Sequence, residues 1–369
     1  MNPSTLKLHQ LGQRLWLDNI TRELLRNGTL ARYIDELSVT GLTSNPTIFE
    51  HAIGSGTDYD DAIQKLAARG LSGEDLFFEL ALQDLTQAAD LFRPVFDASG
   101  GADGWVSLEV SPLLADNTAS SIETAAQLHL RAARPNFFIK IPGTPDGIPA
   151  IEQSIFDGVP INVTSLFSRE HYVAAAEAYL RGIERRIEAG LDPRVESIAS
   201  LFVSRWDVAV RQEVSPALHN RLGIAIAMRT YKAYRDLLAS ERWKKLARAG
   251  ARPQRLLWAS TGTKDPARPT RSTSRPSRHP TRSTRFRTRP CWPLPSTARS
   301  GRPCPSMAAI AKRCSRSSGA KASTPKRSPR DCSAKASRRS PSRGALWCRG
   351  SARRVCNGPS GLHERPRTA

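Results

Sequence analysis

A chain of 369 residues is long enough for two domains or one large α/β barrel, but its averages mislead. Residues 1–265 hold 29 Lys and Arg against 32 Asp and Glu, a net of −3; subtracting from the chain totals of 55 and 34 leaves 26 and 2 for residues 266–369, a net of +24. All six cysteines (Cys291, Cys304, Cys314, Cys332, Cys348 and Cys356) lie in that second part, whereas the first is cysteine-free, with no apolar run long enough to span a membrane and no secretory leader pattern, so the cytoplasm is the expected compartment.

In chain order, Leu15-Trp16-Leu17-Asp18-Asn19-Ile20 is a short apolar run interrupted by an acid, and a helical pattern follows from Thr21, a fitting N-cap, to about Leu37. Ser38 to Phe49 reads as a strand running into a turn, because Asn45-Pro46 favours turn initiation. Helical segments are expected at about 57–69 and 73–95, a third strand at Trp105–Val110 and a helix from Asn117 to Ala133. The fourth strand lies within Pro135–Thr144; a short helix covers Gly147 to about Phe156, and Val159–Thr164 is the fifth strand. A helix from Ser168 to Ala189 stops at Gly190, Ser197–Val203 is the sixth strand, a long helical region covers about 206–249, and Leu256–Ser260 is the seventh strand.

Strands and helices alternate throughout, which implies a parallel sheet, and units of this size suit a (β/α)₈ barrel better than a doubly wound sheet. No Gly-x-Gly-x-x-Gly follows the first strand, which counts against dinucleotide binding. An eighth strand and the terminal helices are missing or unreadable, so the expected barrel is incomplete, with open edges on the first and seventh strands that promote aggregation.

The fourth strand carries Lys140 inside an otherwise apolar and aromatic run, Phe137-Phe138-Ile139-Lys140-Ile141. Lysine is rarely buried without a partner, and burial alone disfavours its charged form, which makes it a candidate amine nucleophile; a strand-end lysine that snorkels to water is the plainer reading. Its company favours the nucleophile. Asp18, Asn45, Ser107, Glu109, Asn162, Thr164, Ser200, Arg205, Ser260 and Lys264 sit at or just past the carboxyl ends of the other strands, which converge on one face of a parallel barrel. Singly, each has a plain explanation, such as a cap or a satisfied turn. Together they supply an amine, two acids for proton transfer, hydroxyl and amide donors, and cations for an anionic group.

The segments LWLDN, GLTSNPTIF, SLEVSP, FFIKIPGT, INVTSLFS, SIASLFVSRWD and LLWASTGTKDP, in this order and spacing, closely resemble transaldolase over about residues 6–266. The resemblance implies a class I aldolase-type barrel of the pentose phosphate pathway, working without metal or organic cofactor. It moves a dihydroxyacetone unit from sedoheptulose 7-phosphate to glyceraldehyde 3-phosphate, giving erythrose 4-phosphate and fructose 6-phosphate. It further implies that Lys140 is the Schiff-base lysine and Asp18 the acid/base of carbon–carbon cleavage. Glu109 and Thr164 would hold the water needed for carbinolamine dehydration, Asn45, Ser107, Asn162 and Ser200 would bind substrate hydroxyls, and Arg205 would bind phosphate, with Lys264 as candidate second cation. The alternatives are a fructose 6-phosphate aldolase-like lyase of the same superfamily and, through the basic tail, a nucleic-acid-binding protein. A homo-oligomer is left open.

Residues 266–369 contain 22 arginines but only five Ile, Leu or Val among 104 positions, too few to bury a core, and are expected to be disordered. The cysteine spacings of 13, 10, 18, 16 and 8 contain no Cys-x₂-Cys pair. An arginine-, proline- and serine-rich, acid-poor segment that begins abruptly in mid-motif is the expected product of translating a GC-rich gene out of frame. The division is therefore a barrel over 1–265 and an out-of-frame tail over 266–369, and the full chain is expected to show little or no turnover.

Overall fold

A computed structural model describes residues 2–54 and 56–262 and the backbone of 288–291. Seven parallel strands alternate with helices: β1 Arg14–Leu17, β2 Val39–Thr43, β3 Trp105–Glu109, β4 Phe137–Pro142, β5 Ile161–Leu166, β6 Ser197–Phe202 and β7 Arg255–Ala259. An eighth short strand, β8 Thr288–Cys291, pairs antiparallel with β1 over its four residues and meets β7 where Cys291 faces Leu257, which closes the barrel. This corrects the expectation of two open edges, although β8 runs against its neighbours and so is not the parallel strand of an eighth βα unit. Lys264 and the expected disorder of the tail lie outside the described residues.

The helices are α1 Pro3–Gln10, α2 Arg22–Arg26, α3 Thr29–Leu37, α4 Pro46–Gly54, α5 Asp60–Ala68, α6 Gly73–Ala98, α7 Thr118–Ala132, α8 Gly147–Phe156, α9 Arg169–Glu188, α10 Ser204–Ala209, α11 Leu222–Ala239 and α12 Glu241–Arg248. Thr21 caps α2 by accepting from Leu24 N–H at 3.1 Å, as its sequence position suggests. The expected single helix from Thr21 to Leu37 is two, because Gly28 adopts a left-handed conformation (φ 71°) between them. Asn45-Pro46 opens α4 instead of a turn: Ile48 N–H donates to Asn45 Oδ1 at 3.0 Å, and proline fits the first helical position. The expected run at 206–249 is likewise divided into α10, α11 and α12.

Each strand sorts its residues by alternation, since positions two apart share a face. Val106, Leu108, Phe137, Ile139, Ile141, Ile161, Val163, Ala199, Leu201, Leu256 and Trp258 belong to the large core between sheet and helices. The inward set starts with a separate cluster of Trp16, Trp105, Phe138, Ile198 and Leu257. Phe138 stacks on Trp105 with ring centroids 4.1 Å apart and on Trp16 at 6.4 Å. Gly41 leaves room for this floor, because a Cβ there would land inside the Trp16 indole. The barrel is thus plugged at its amino-terminal end by aromatic side chains.

Candidate active site

Two residues beyond four of the five floor positions, the inward side chains turn polar; beyond Leu257 stands Ala259. Asp18 follows Trp16, Ser107 follows Trp105, Lys140 follows Phe138, and Ser200 follows Ile198. Asn162 joins this layer from β5, where it pairs in register with Lys140. One step further out come Glu109 on β3 and Thr164 on β5. Strand period alone therefore gathers the candidate residues above an apolar base.

Lys140 is 3% exposed, and its Nζ donates to Glu109 Oε2 and to the Ser44 carbonyl oxygen, both at 2.8 Å. A lysine is rarely buried without a partner, and here a carboxylate and a backbone carbonyl supply two. Glu109 is in register with Lys140 on the neighbouring strand, so the pair is set by sheet geometry rather than by long side chains reaching across space. The same distance lets a proton pass from the ammonium to the carboxylate.

Beside the pair runs a short relay of neutral groups. Ser200 Oγ donates to Asn162 Oδ1 at 2.8 Å, and Asn162 Nδ2 donates to Ser107 Oγ at 3.1 Å, with all three side chains fully buried. This fixes the amide orientation and lines one wall with hydrogen-bonding groups. Ser44 ties β2 to the same wall, its Oγ donating to the Ser107 carbonyl at 2.8 Å. Thr164 is buried beyond Asn162, and the next residue, Ser165, has φ 61° where the β5–β6 register shifts. That irregularity sets the direction in which the chain leaves the strand after Thr164.

Asp18 lies just past the end of β1, two residues after the floor residue Trp16, and is partly buried. Asn45 lies past the end of β2 and spends its Oδ1 on capping α4. Arg205 is not in this interior group: it stands exposed on α10, its guanidinium 5.9 Å from the Phe202 ring centroid at the rim. Near that rim Phe167 N–H donates to His171 Nδ1 at 3.3 Å, and burial holds the His171 pKa below the usual imidazole value, consistent with a neutral acceptor nitrogen. Ser260, singled out on β7, has φ 53° and its Oγ lies 3.2 Å from Ser204 Oγ, a contact that joins the ends of β6 and β7.

Sequence reasoning passed over two contributors. The Ser44 carbonyl carries no residue-type signature, so nothing in the sequence points to it. The floor, in contrast, is written in the sequence as an aromatic residue two places before a polar one on three strands: Trp16 and Asp18, Trp105 and Ser107, Phe138 and Lys140. Among the described residues, no group of three or more His, Cys, Asp or Glu side chains is arranged to hold a metal ion, and no helix is long and apolar enough to cross a membrane.

The family model described as Transaldolase/Fructose-6-phosphate aldolase matches residues 15–272. Curated relatives named transaldolase include one from Thermobifida fusca, 45% identical over 271 residues, which are 71% of this chain and 74% of the relative. One from Arthrobacter sp. is 43% identical over 277 residues, 73% of this chain and 75% of the relative. A third, from Frankia alni, is 44% identical over 271 residues, 71% and 73% of the two chains.

Proposed function

Because this chain belongs to the transaldolase/fructose-6-phosphate aldolase family, we propose that it transfers a dihydroxyacetone unit between phosphorylated sugars through a Schiff base on Lys140. The observation that carries this reading is the Lys140 Nζ, buried above an aromatic floor and 2.8 Å from Glu109 Oε2. An amine so placed is hidden from bulk water yet has its proton acceptor in contact.

In this reading Glu109 takes the ammonium proton, and the amine adds to the carbonyl carbon of sedoheptulose 7-phosphate. Glu109 and Thr164 then hold and activate the water that moves protons while the carbinolamine loses hydroxide as water. The resulting iminium draws electrons from the bond between carbons three and four, and Asp18 takes the proton of the carbon-four hydroxyl as that bond breaks. Erythrose 4-phosphate leaves, and the three-carbon fragment remains as an enamine. Glyceraldehyde 3-phosphate enters, the enamine carbon attacks its aldehyde, Asp18 returns the proton, and hydrolysis releases fructose 6-phosphate.

Asn45 and the Ser107–Asn162–Ser200 wall are assigned to substrate hydroxyls. Arg205 on the rim and Lys264 are assigned to the phosphate, for which a guanidinium offers paired donors. The chemistry calls for no cofactor, and the cysteine-free, mildly acidic residues 1–265 suit the cytoplasm. Residues 266–369 are read as out-of-frame translation, a reading supported by the abrupt change in composition and by a family match that ends at residue 272; resequencing the gene across codons 260–275 tests it.

The decisive experiment is borohydride reduction in the presence of fructose 6-phosphate, followed by peptide mass analysis. A three-carbon adduct on Lys140 is expected, and Lys140→Ala should carry none. An undiminished adduct in that variant removes Lys140 from the mechanism. The family description also covers fructose-6-phosphate aldolase, so the same samples are assayed for free dihydroxyacetone without acceptor. Release at the rate of transfer would replace transaldolase by the lyase. Salt-sensitive DNA affinity without any ketose chemistry would favour the basic tail as the working part instead.

A further inference from the structure

Asp18 reaches the site on a loop of four residues, 18–21, strung between β1 and α2. One end of the loop is fixed by the β1–β2 ladder, where Leu17 faces Leu42. The other end is fixed at Arg22, the first residue of α2, by a closed ring of buried polar contacts. The Arg22 backbone N–H donates to the Tyr59 hydroxyl at 3.2 Å, and that hydroxyl donates to Asp84 Oδ2 at 2.7 Å. Arg22 Nε donates to the other oxygen, Asp84 Oδ1, at 2.9 Å, and Nη2 donates to Gln83 Oε1 at 2.8 Å. The guanidinium also lies over the Tyr59 ring, 4.6 Å from its centroid.

Asp84 is fully buried in the middle of α6, and Arg22 and Tyr59 are buried with it. Three segments meet here: the start of α2, the cap of α5 and the body of α6. A buried ion pair of this kind adds little net stability over an apolar filling of equal size, since desolvation of both charges offsets their attraction. What the ring does supply is a single geometry. It holds the main chain and the side chain of Arg22 at once, four residues from Asp18.

We propose that Arg22, Tyr59 and Asp84 are positioning residues for Asp18, setting the place of its carboxyl relative to Lys140. The inference rests on reading Asp18 as the proton carrier of carbon–carbon cleavage. None of the three touches the reacting atoms. Their effect is on cleavage, which needs Asp18 in place, and not on imine formation, which needs Lys140 and Glu109 on β3 and β4. A displacement of about 1 Å at a catalytic group costs on the order of 10²-fold.

The test uses the full chain with Tyr59→Phe and, should that variant fail to fold, Asp84→Asn. Three quantities are read: amide exchange of residues 18–22, the stoichiometry of borohydride trapping with fructose 6-phosphate, and the single-turnover release of glyceraldehyde 3-phosphate with enzyme in excess. Exchange in the loop should rise at least tenfold, trapping should stay within twofold of the parent, and cleavage should fall at least tenfold. Tyr59→Phe added to Asp18→Asn should slow cleavage no further than Asp18→Asn alone, because both act on one function. Parental cleavage in a folded variant, a parallel loss of trapping and cleavage, unchanged loop exchange, or an additive double variant would each overturn the proposal. A parent that traps no sugar overturns the Schiff-base reading and this inference with it; a parent that traps while the variants cleave normally overturns this inference alone.

Discussion

Lys140 and Glu109 divide one problem between them. In the proposed mechanism the amine must give up a proton before it can attack, and the carboxylate assigned to receive it sits at 2.8 Å on the adjoining strand. Glu109→Gln keeps the size of the side chain while removing its charge, so Lys140 loses its proton acceptor without losing its burial. Imine formation in that variant should slow by about 10²–10⁴, the usual range for a lost general base. Rapid quench with borohydride over a time course measures it, and a parental trapping rate would exclude Glu109 from the proton transfer. Asp18→Ala should give the complementary result. Its trapping should persist while glyceraldehyde 3-phosphate release slows by about 10² or more. Equal losses in both steps would mean that Asp18 shapes the pocket rather than carrying the proton. Lys140 and Asp18 stood out in the sequence because each is a polar residue two places after an aromatic one, Phe138 and Trp16, and Glu109 because it is an acid at the end of its strand. The Ser44 carbonyl was not legible, because a backbone oxygen has no identity in a sequence.

At the scale of elements, the barrel interior depends on where a side chain is missing as much as on where one is present. Gly41 on β2 faces Trp16, and a Cβ there would enter the indole. Gly41→Ala should therefore destabilise the fold by about 1–3 kcal/mol, the usual range for overpacking, read as a lowered urea midpoint at unchanged slope. An unchanged midpoint would mean that the floor is not packed as described. The link between α2, α5 and α6 has its own signature in pH. Burial pushes the Asp84 carboxyl above its usual value, outweighing the hydrogen bond from Tyr59 and the charge of Arg22, which act the other way. A carboxyl raised in the folded state binds more protons folded than unfolded, so its contribution to stability is lost as pH rises through the ordinary carboxylate range. Asp84→Asn removes that loss. Its stability relative to the parent should improve as pH rises above about 4, the ordinary carboxylate value, measured by thermal midpoints at matched ionic strength. The opposite trend would show the ion pair with Arg22 outweighing desolvation. The strands and most helices followed from periodicity, but α4 did not. Asn-Pro opens a turn or caps a helix with equal ease, and only the apolar residues after it, Phe49, Ala52 and Ile53, favour the helix once the core is known.

The whole molecule joins two unlike sequences, and the junction falls where the architecture most needs continuity. In a (β/α)₈ barrel the catalytic rim is built from eight segments that leave the carboxyl ends of eight parallel strands. Here seven strands do so, and β8 runs the other way, with Thr288 opposite Leu17 at the catalytic end and Cys291 opposite Arg14 at the base. Beside Asp18, therefore, the chain enters the barrel wall instead of leaving it. β8 was illegible for a physical reason: Thr288-Arg289-Pro290-Cys291 has no alternation of apolar and polar residues, and Pro290 removes a ladder donor. It is recognised as a strand only because β1 and β7 present edges to pair with. Its partial pairing answers the aggregation expected of open edges, yet among the described residues there is no eighth parallel βα segment. We therefore expect the full chain to form the Lys140 imine while transferring the three-carbon unit at least about 10²-fold more slowly than the Thermobifida fusca relative, since a loosely held enamine lacks its acceptor in line. Comparing trapping stoichiometry with transfer rate, side by side with the Thermobifida fusca relative, separates the two steps. Transfer at the relative's rate would mean that seven parallel strands and one reversed strand suffice to place Asp18 and the acceptor, and that the eighth parallel unit is dispensable for catalysis.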